Sequence, residues 1–386
     1  VIFSNRTPED LSPNAITRAL EQIPAKELID LTQSNPTLCG FDYPEEWFSR
    51  LSAAESLRYQ PHALGDPKAR EAVAHFLTSK GQKVHPDNVV LTASTSEAYS
   101  FLFKLFADPG DTLLIPTPGY PLLDHLAALE GLKTLSYPLQ LDPAWPLDLK
   151  YLRGIQRPGI KAFITINPHN PTGALLSEAD RKAMAEICAQ NQWVVISDEV
   201  FEDYLDAQTP PAPWNPEGTL SFRLGGLSKS LGLPQLKLSW MILQGPEELL
   251  RECKDRLELI ADTYLSVNTP VQKILPNLLP RAGTIQKQIQ GRLSENRSFL
   301  AQRLKKREGL KLWPSQGGWV ALVEILEKER TDEAEVLGLL EKQKVLVHPG
   351  GFYDFPAAKS FLVISLLPQP ALFHEGIRRL EKYFQG

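Results

Sequence analysis

The chain has 386 residues, 42% of them hydrophobic and 23% charged, which excludes a disordered chain and is enough for two or three structural units around a large core. A net charge of −5 argues against non-specific binding to nucleic acid or to a membrane surface. Three cysteines without C-x-x-C spacing and seven histidines without a ligand pattern argue against a disulfide framework or a metal site and fit a reducing compartment. No stretch reaches the ~18 consecutive apolar residues of a membrane-spanning helix. The first residues lack the basic and apolar regions of a signal peptide, so a cytoplasmic location is expected.

Residues 1–43 are irregular, with Pro8, Pro13, Pro24 and Pro36 as punctuation and room for one helix over 14–23. Helices are predicted over 45–57 and from Asp66-Pro67 onward, the second from Ala69, Ala72, Val73, Phe76 and Leu77 at helical spacing. From Val89 the pattern becomes alternating. Strands are predicted over 88–92, 112–115, 134–138, 161–167, 193–198, 219–224 and 238–244, and helices over 96–106, 120–130 and 177–191. Such alternation predicts an α/β fold with three αβα layers around a mostly parallel sheet. Beyond it, helical stretches over 246–267 and 272–307 lead to strands over 310–324, 345–348 and 361–366 and a last helix over 374–384, a smaller α+β unit. The expected division is an N-terminal arm with part of the small domain over 1–44, a large domain over 45–285 and a C-terminal small domain over 286–386. Pro210, Pro211, Pro213 and Pro216 mark a rigid loop inside the large domain, because the strand pattern resumes after them.

Ligands of parallel sheets bind at the carboxyl ends of strands, so the residues that follow each strand carry the functional signal. Lys229 is the one charged residue between Leu224 and Pro234, in a run of Gly, Ser and Leu. An amine in such a setting loses affinity for its proton and can act as a Schiff-base nucleophile. Asp198 closes an apolar strand and should be nearly buried, as a charge seeking a partner or as a helix N-cap. Asn170 sits between Pro168 and Pro171, in a fixed turn from which its amide can donate. Ala93-Ser94-Thr95-Ser96-Glu97 offers hydroxyls and free N–H groups at a helix start, as an anion cup or a capping box.

The ordered set Tyr59…Gly65…Arg70, Thr95-Ser96, Pro118-Gly119-Tyr120-Pro121, Asn167-Pro168-His169-Asn170-Pro171-Thr172-Gly173, Ser197-Asp198-Glu199-Val200 and Ser228-Lys229 resembles the class I/II, fold type I pyridoxal-phosphate aminotransferases of the aspartate aminotransferase superfamily. The resemblance runs from Leu31 to the last helix. It implies pyridoxal 5′-phosphate as cofactor, Lys229 as the residue that forms the aldimine and shuttles the proton, and Asp198 as partner of the pyridinium nitrogen. It also implies that Asn170 bonds the phenolic oxygen, that Tyr120 stacks on the ring, and that Thr95, Ser96, Ser228 and Lys237 surround the phosphate. Tyr59 would reach the phosphate of the neighbouring subunit in a homodimer. Small-molecule amine or amino-acid and oxo-acid substrates follow, with no nucleic-acid or membrane partner. A lyase or decarboxylase on the same scaffold, or a non-catalytic cofactor-binding module, are the other readings of the fold.

Four positions depart from the family pattern. Phe201 stands in place of a tyrosine that bonds the phenolic oxygen. Lys237 replaces a phosphate-binding arginine, a point charge in place of a fork. Gly226 replaces a common phosphate-binding serine. Val363 stands where an arginine would grip the substrate α-carboxylate. Arg153, Arg157, Arg223, His348 and the loop Gly350-Gly351-Phe352-Tyr353 are the candidates to line the pocket instead. Weak activity on simple α-amino acids such as aspartate is expected.

Overall fold

Thirteen strands are present in the computed structural model, which describes residues 3–209, 218–305, 307–327 and 329–385. In chain order they are β1 (Ile29–Asp30), β2 (Val89–Thr92), β3 (Thr112–Thr117), β4 (Lys133–Pro138), β5 (Ile160–Ile166), β6 (Val194–Asp198), β7 (Ser221–Gly226), β8 (Ser239–Gln244), β9 (Leu310–Leu312), β10 (Val320–Ile325), β11 (Val345–Leu346), β12 (His348–Pro349) and β13 (Ser360–Ser365). The loop of Pro210, Pro211, Pro213 and Pro216 lies outside the described residues.

Seven strands form the large sheet in the order β2-β8-β7-β6-β5-β3-β4. β8 runs antiparallel to β2 and β7, and the other neighbours are parallel. Parallel strands covered on both faces read as unbroken apolar runs, and every residue of β6 and β7 is buried, as is every residue of the edge strand β2. Side chains alternate between the faces. Val194 and Ile196 of β6 pack with Ala98, Phe101 and Leu102 of helix Thr95–Phe106 and Leu257 of helix Glu247–Tyr264. Val195 packs on the other face with Met184, Ile187 and Cys188 of helix Glu178–Asn191. Edge strand β4 keeps one buried residue, Tyr137.

The C-terminal part carries an antiparallel sheet in the order β12-β13-β10-β9, and the N-terminal segment joins it through β1, which pairs parallel with β11. Helix Gly283–Leu304, 22 residues and so about 33 Å long, passes between the two regions. The amide of Asn296 on this helix donates to the carbonyls of Leu366 (2.8 Å) and Pro368 (2.9 Å) beyond β13.

Four expected elements divide. The helical stretch over 272–307 is helices Thr269–Leu278 and Gly283–Leu304 with a 3₁₀ turn Leu279–Arg281 between them. The helix over 45–57 is a short helix Glu46–Ser49 followed by 3₁₀ turns Arg50–Ser52 and Ala54–Leu57, because Ala53 between them has an extended backbone (ψ 149°). The strand over 310–324 is a hairpin: β9 and β10 pair antiparallel, and Pro314, Gly317 and Gly318 lie in the connection, where Pro and Gly end strands. The strand over 345–348 splits into β11 and β12, which belong to different sheets.

Candidate active site

The carboxyl ends of β2, β3, β5, β6 and β7 lie along one edge of the large sheet, facing β10, β12 and β13. Between them is a cavity of about 250 Å³. From the large sheet it receives Thr95 after β2, Tyr120 after β3, Asn170 after β5, Asp198 and Phe201 at the end of β6, Ser228 and Lys229 after β7, and Ser239 at the start of β8. Thr32, Ser34, Trp319, Val320, His348, Tyr353, Val363 and Ser365 close the opposite side.

Local chemistry fixes each of these positions. Ser94 caps helix Thr95–Phe106 by accepting from the Glu97 N–H (3.1 Å), and the Glu97 carboxylate accepts from the Ala93 N–H (2.7 Å). Ser94 is therefore the N-cap, one residue earlier than the Thr95-Ser96 pair, with Glu97 reaching back past it to the preceding N–H, and the Thr95 side chain is left to the cavity. Gly119 has no room for a Cβ, which would collide with the Pro116 carbonyl, and its N–H donates to the Tyr353 carbonyl (2.9 Å). Asn170 is held in a loop closed by Gly173, at φ +70°, where a Cβ would lie 2.5 Å from the Gly317 carbonyl oxygen. His169 of the same loop is buried, bonded to Thr172 Oγ1 (2.9 Å) and pushed down by burial to a pKa of about 3, so it is a neutral structural group. The turn that carries Lys229 is tied by the Tyr204 hydroxyl, which donates to the Lys229 carbonyl (2.7 Å).

Burial dominates the electrostatics. It raises the Asp198 pKa to about 6, against the Val200 N–H and the Tyr99 hydroxyl that donate to its carboxylate (both 3.2 Å) and the field of Lys229. The Val200 bond shows Asp198 also capping its own turn. Burial lowers the Lys229 pKa, opposed by Asp198. The Lys229 amine lies 4.9 Å from the ring centre of Trp319 and 5.7 Å from that of Phe201. The site thus holds an acid and a base, each displaced toward its neutral form.

Seven sequence-derived residues meet in this cavity: Thr95, Tyr120, Asn170, Asp198, Phe201, Ser228 and Lys229. Ser96, Lys237 and Tyr59 do not line it. Lys237 is exposed, and Tyr59 is 70% exposed in a separate shallow cleft with Pro61, His62 and Ser266. Of the alternative pocket residues, His348 and Tyr353 reach the cavity, joined by a 3.1 Å bond between Nδ1 and the hydroxyl. Arg153 and Arg157 are exposed, and Arg223 is buried against Glu199 (2.7 Å) at a different cavity. No arginine lines the site among the described residues. Tyr99, Trp319 and Ser239 escaped notice. Tyr99 lies four residues after Thr95, hence on the same helix face, which is the one signal available for it.

The donor set suits pyridoxal phosphate. Thr95, Asn170, Ser228 and Ser239 line the cavity with no side-chain hydrogen bond to any described residue, the first three half-buried, so their polar atoms are free for a ligand held there. A phosphate suits the hydroxyls and the helix start, and a protonated ring nitrogen suits the buried carboxylate. Among the described residues no cluster of three or more His, Cys, Asp or Glu could hold a metal ion, and no helix is long and apolar enough to cross a membrane.

The chain is similar to glutamate–pyruvate aminotransferase AlaA of Haemophilus influenzae, 28% identical over 372 residues, covering 92% of this chain and 90% of that protein. Among solved structures it is similar to an alanine aminotransferase from Pyrococcus furiosus (26% identity, TM-score 0.85, 95% and 94% of the two chains). It also shares the fold of an Escherichia coli aminotransferase (23% identity, TM-score 0.87, 100% and 98%). The family model "Aminotransferase class I and II" matches residues 26–380. The chain belongs to this family, the pyridoxal-phosphate-dependent aminotransferases of fold type I.

Proposed function

We propose that this aminotransferase moves an amino group from an amine or amino-acid donor to a carbonyl acceptor with Lys229 as covalent anchor and proton carrier. In the net reaction the donor's amine carbon is oxidised to a carbonyl and the acceptor's carbonyl carbon is reduced to an amine. Bound pyridoxal phosphate supplies an electrophilic carbon and a ring that takes up the electron pair left when the donor carbon loses its proton. Asp198 holds a proton on the ring nitrogen. Asn170 would donate to the ring oxygen, and Phe201, with no hydroxyl, would add no second donor there. Tyr120 would cover a face of the ring, and Thr95 and Ser228 would attend the phosphate; Ser96 and Lys237, which the resemblance also assigns to it, lie outside the cavity lining. Burial keeps a fraction of Lys229 uncharged, so that it can attack carbon and then accept a proton. Tyr59, turned away from its own cavity, would serve a second copy in a homodimer.

The observation that carries this reading is the convergence of Lys229 and Asp198, on different strand ends, in one cavity lined by unpartnered polar groups. The names of the relatives suggest glutamate, pyruvate and alanine as substrates. The substrate side of this cavity is neutral, however. Val363 is 1% exposed and faces Leu322 and His348 across the sheet, and burial lowers the His348 pKa. Simple α-amino acids should therefore react weakly. A panel of amine donors with and without an α-carboxylate, added to the cofactor-loaded protein and followed by the cofactor's visible absorbance, tests both statements. A response to no donor refutes aminotransfer with small amines. Robust turnover of aspartate with 2-oxoglutarate refutes the weak-carboxylate expectation. Release of ammonia or carbon dioxide without an acceptor would indicate a lyase.

A further inference from the structure

We infer that the Ser239 hydroxyl is a phosphate ligand of the bound cofactor, in the space that a side chain at position 226 would otherwise fill; this rests on the proposed cofactor reading. Ser239 opens β8 and pairs with Thr92 at the end of β2 on one side and with Gly226 at the end of β7 on the other. It stands between the start of helix Thr95–Phe106 and the turn that carries Ser228 and Lys229. A Cβ built on Gly226 would overlap the Ser239 hydroxyl and lie 2.9 Å from its Cβ. A side chain at 226 and the hydroxyl of Ser239 therefore compete for one volume. This chain gives it to position 239, which accounts for the glycine at 226.

Ser239 is 2% exposed, lines the cavity beside Thr95 and Ser228, and its hydroxyl bonds to no described residue. An unpartnered hydroxyl on an otherwise enclosed residue that lines the cavity is free to donate to a ligand there. Three hydroxyls from Thr95, Ser228 and Ser239, together with the free N–H groups of a 12-residue helix, form a cup with the donors a phosphate needs. Lys237, two residues earlier, is exposed and outside the lining, so neutral donors carry the load on this side of the cup.

Equilibrium dissociation constants of pyridoxal phosphate and of pyridoxal, which lacks the phosphate, test this by tryptophan fluorescence on wild type, Ser239→Ala and the double variant Gly226→Ser/Ser239→Gly. A hydrogen bond to a charged group predicts that Ser239→Ala binds pyridoxal phosphate roughly 10- to 100-fold more weakly, with pyridoxal affinity unchanged. The double variant, which returns a hydroxyl to the same volume from the other strand, should recover most of the loss. Unchanged affinity for pyridoxal phosphate in Ser239→Ala overturns the inference, as does an equal loss for both compounds. Wild-type protein that binds neither compound overturns the cofactor reading and this inference with it.

Discussion

Asp198→Asn isolates the electrostatics of the site. Burial lifts the Asp198 pKa from 3.8 to about 6, although the Val200 N–H, the Tyr99 hydroxyl and Lys229 all favour its charge. At about 1.36 kcal/mol per pH unit, ionising it in the cofactor-free protein costs roughly 3 kcal/mol of stability. Between these two values the folded protein keeps a proton that the unfolded chain has released. The contribution is therefore fully present below pH 3.8, falls as pH rises, and is gone above about 6. Asparagine has the shape of the protonated acid and never ionises. The two cofactor-free proteins should match near pH 4, and the variant should be more stable by roughly 3 kcal/mol at pH 7. Urea denaturation of both proteins from about pH 4 to pH 7.5 measures the difference. Saturating pyridoxal phosphate should reverse the order, since its ring cation is what the ionised carboxylate lacks. A stability difference that does not change with pH, or a variant less stable at pH 7 without cofactor, would refute the reasoning.

Lys229→Ala removes both nucleophile and proton carrier, and turnover with excess cofactor should fall by at least about 10²- to 10⁴-fold; retention of rate would reassign the role. Tyr99→Phe deletes the 3.2 Å bond to Asp198, which should raise the Asp198 pKa and weaken pyridoxal phosphate binding by roughly 2- to 10-fold, read by equilibrium titration. Gly173→Ala forces a side chain into a left-handed position against the Gly317 carbonyl. It should destabilise the protein by roughly 2 kcal/mol or more and weaken cofactor binding through Asn170, both visible in denaturation and titration.

The strand ends were legible because their signals are local. Asp198 terminates a continuous apolar strand, Asn170 lies in a proline-pinned turn, and Lys229 is the one charge in a small-residue run. Each reports its burial through its immediate neighbours, and the alternating pattern supplies the shared edge. Tyr99, Trp319 and Ser239 depend on contacts between elements distant in sequence. Trp319 reaches Lys229 from β10's approach, 90 residues later, and nothing in Gly317-Gly318-Trp319 announces it. Ser239 gains meaning only through its register with Gly226. The hairpin over 310–325 was hidden because Trp313 and Trp319 extend the apolar character of the strands into the turn.

The cavity has two ends with different owners. The large sheet contributes hydroxyls, an amide, a carboxylate and an amine, each set at or just after the end of a buried strand whose register with its neighbours is fixed. The C-terminal sheet contributes Val320, His348, Val363 and Ser365, with Trp319 and Tyr353 beside them, and Ser365 already spends its hydroxyl on the Gln33 carbonyl (2.6 Å). Charge is thus concentrated where a cofactor would bind and absent where the substrate's second group would lie. A carboxylate placed there would give up its hydration without meeting a guanidinium, and Asp30, whose field reaches His348, would oppose it. Substitutions on the large-sheet edge should then change cofactor affinity and rate for every substrate alike. Substitutions at Val363 and His348 should reorder substrates while leaving the cofactor-bound spectrum unchanged. A His348→Ala variant that altered the spectrum without altering donor preference would break this division.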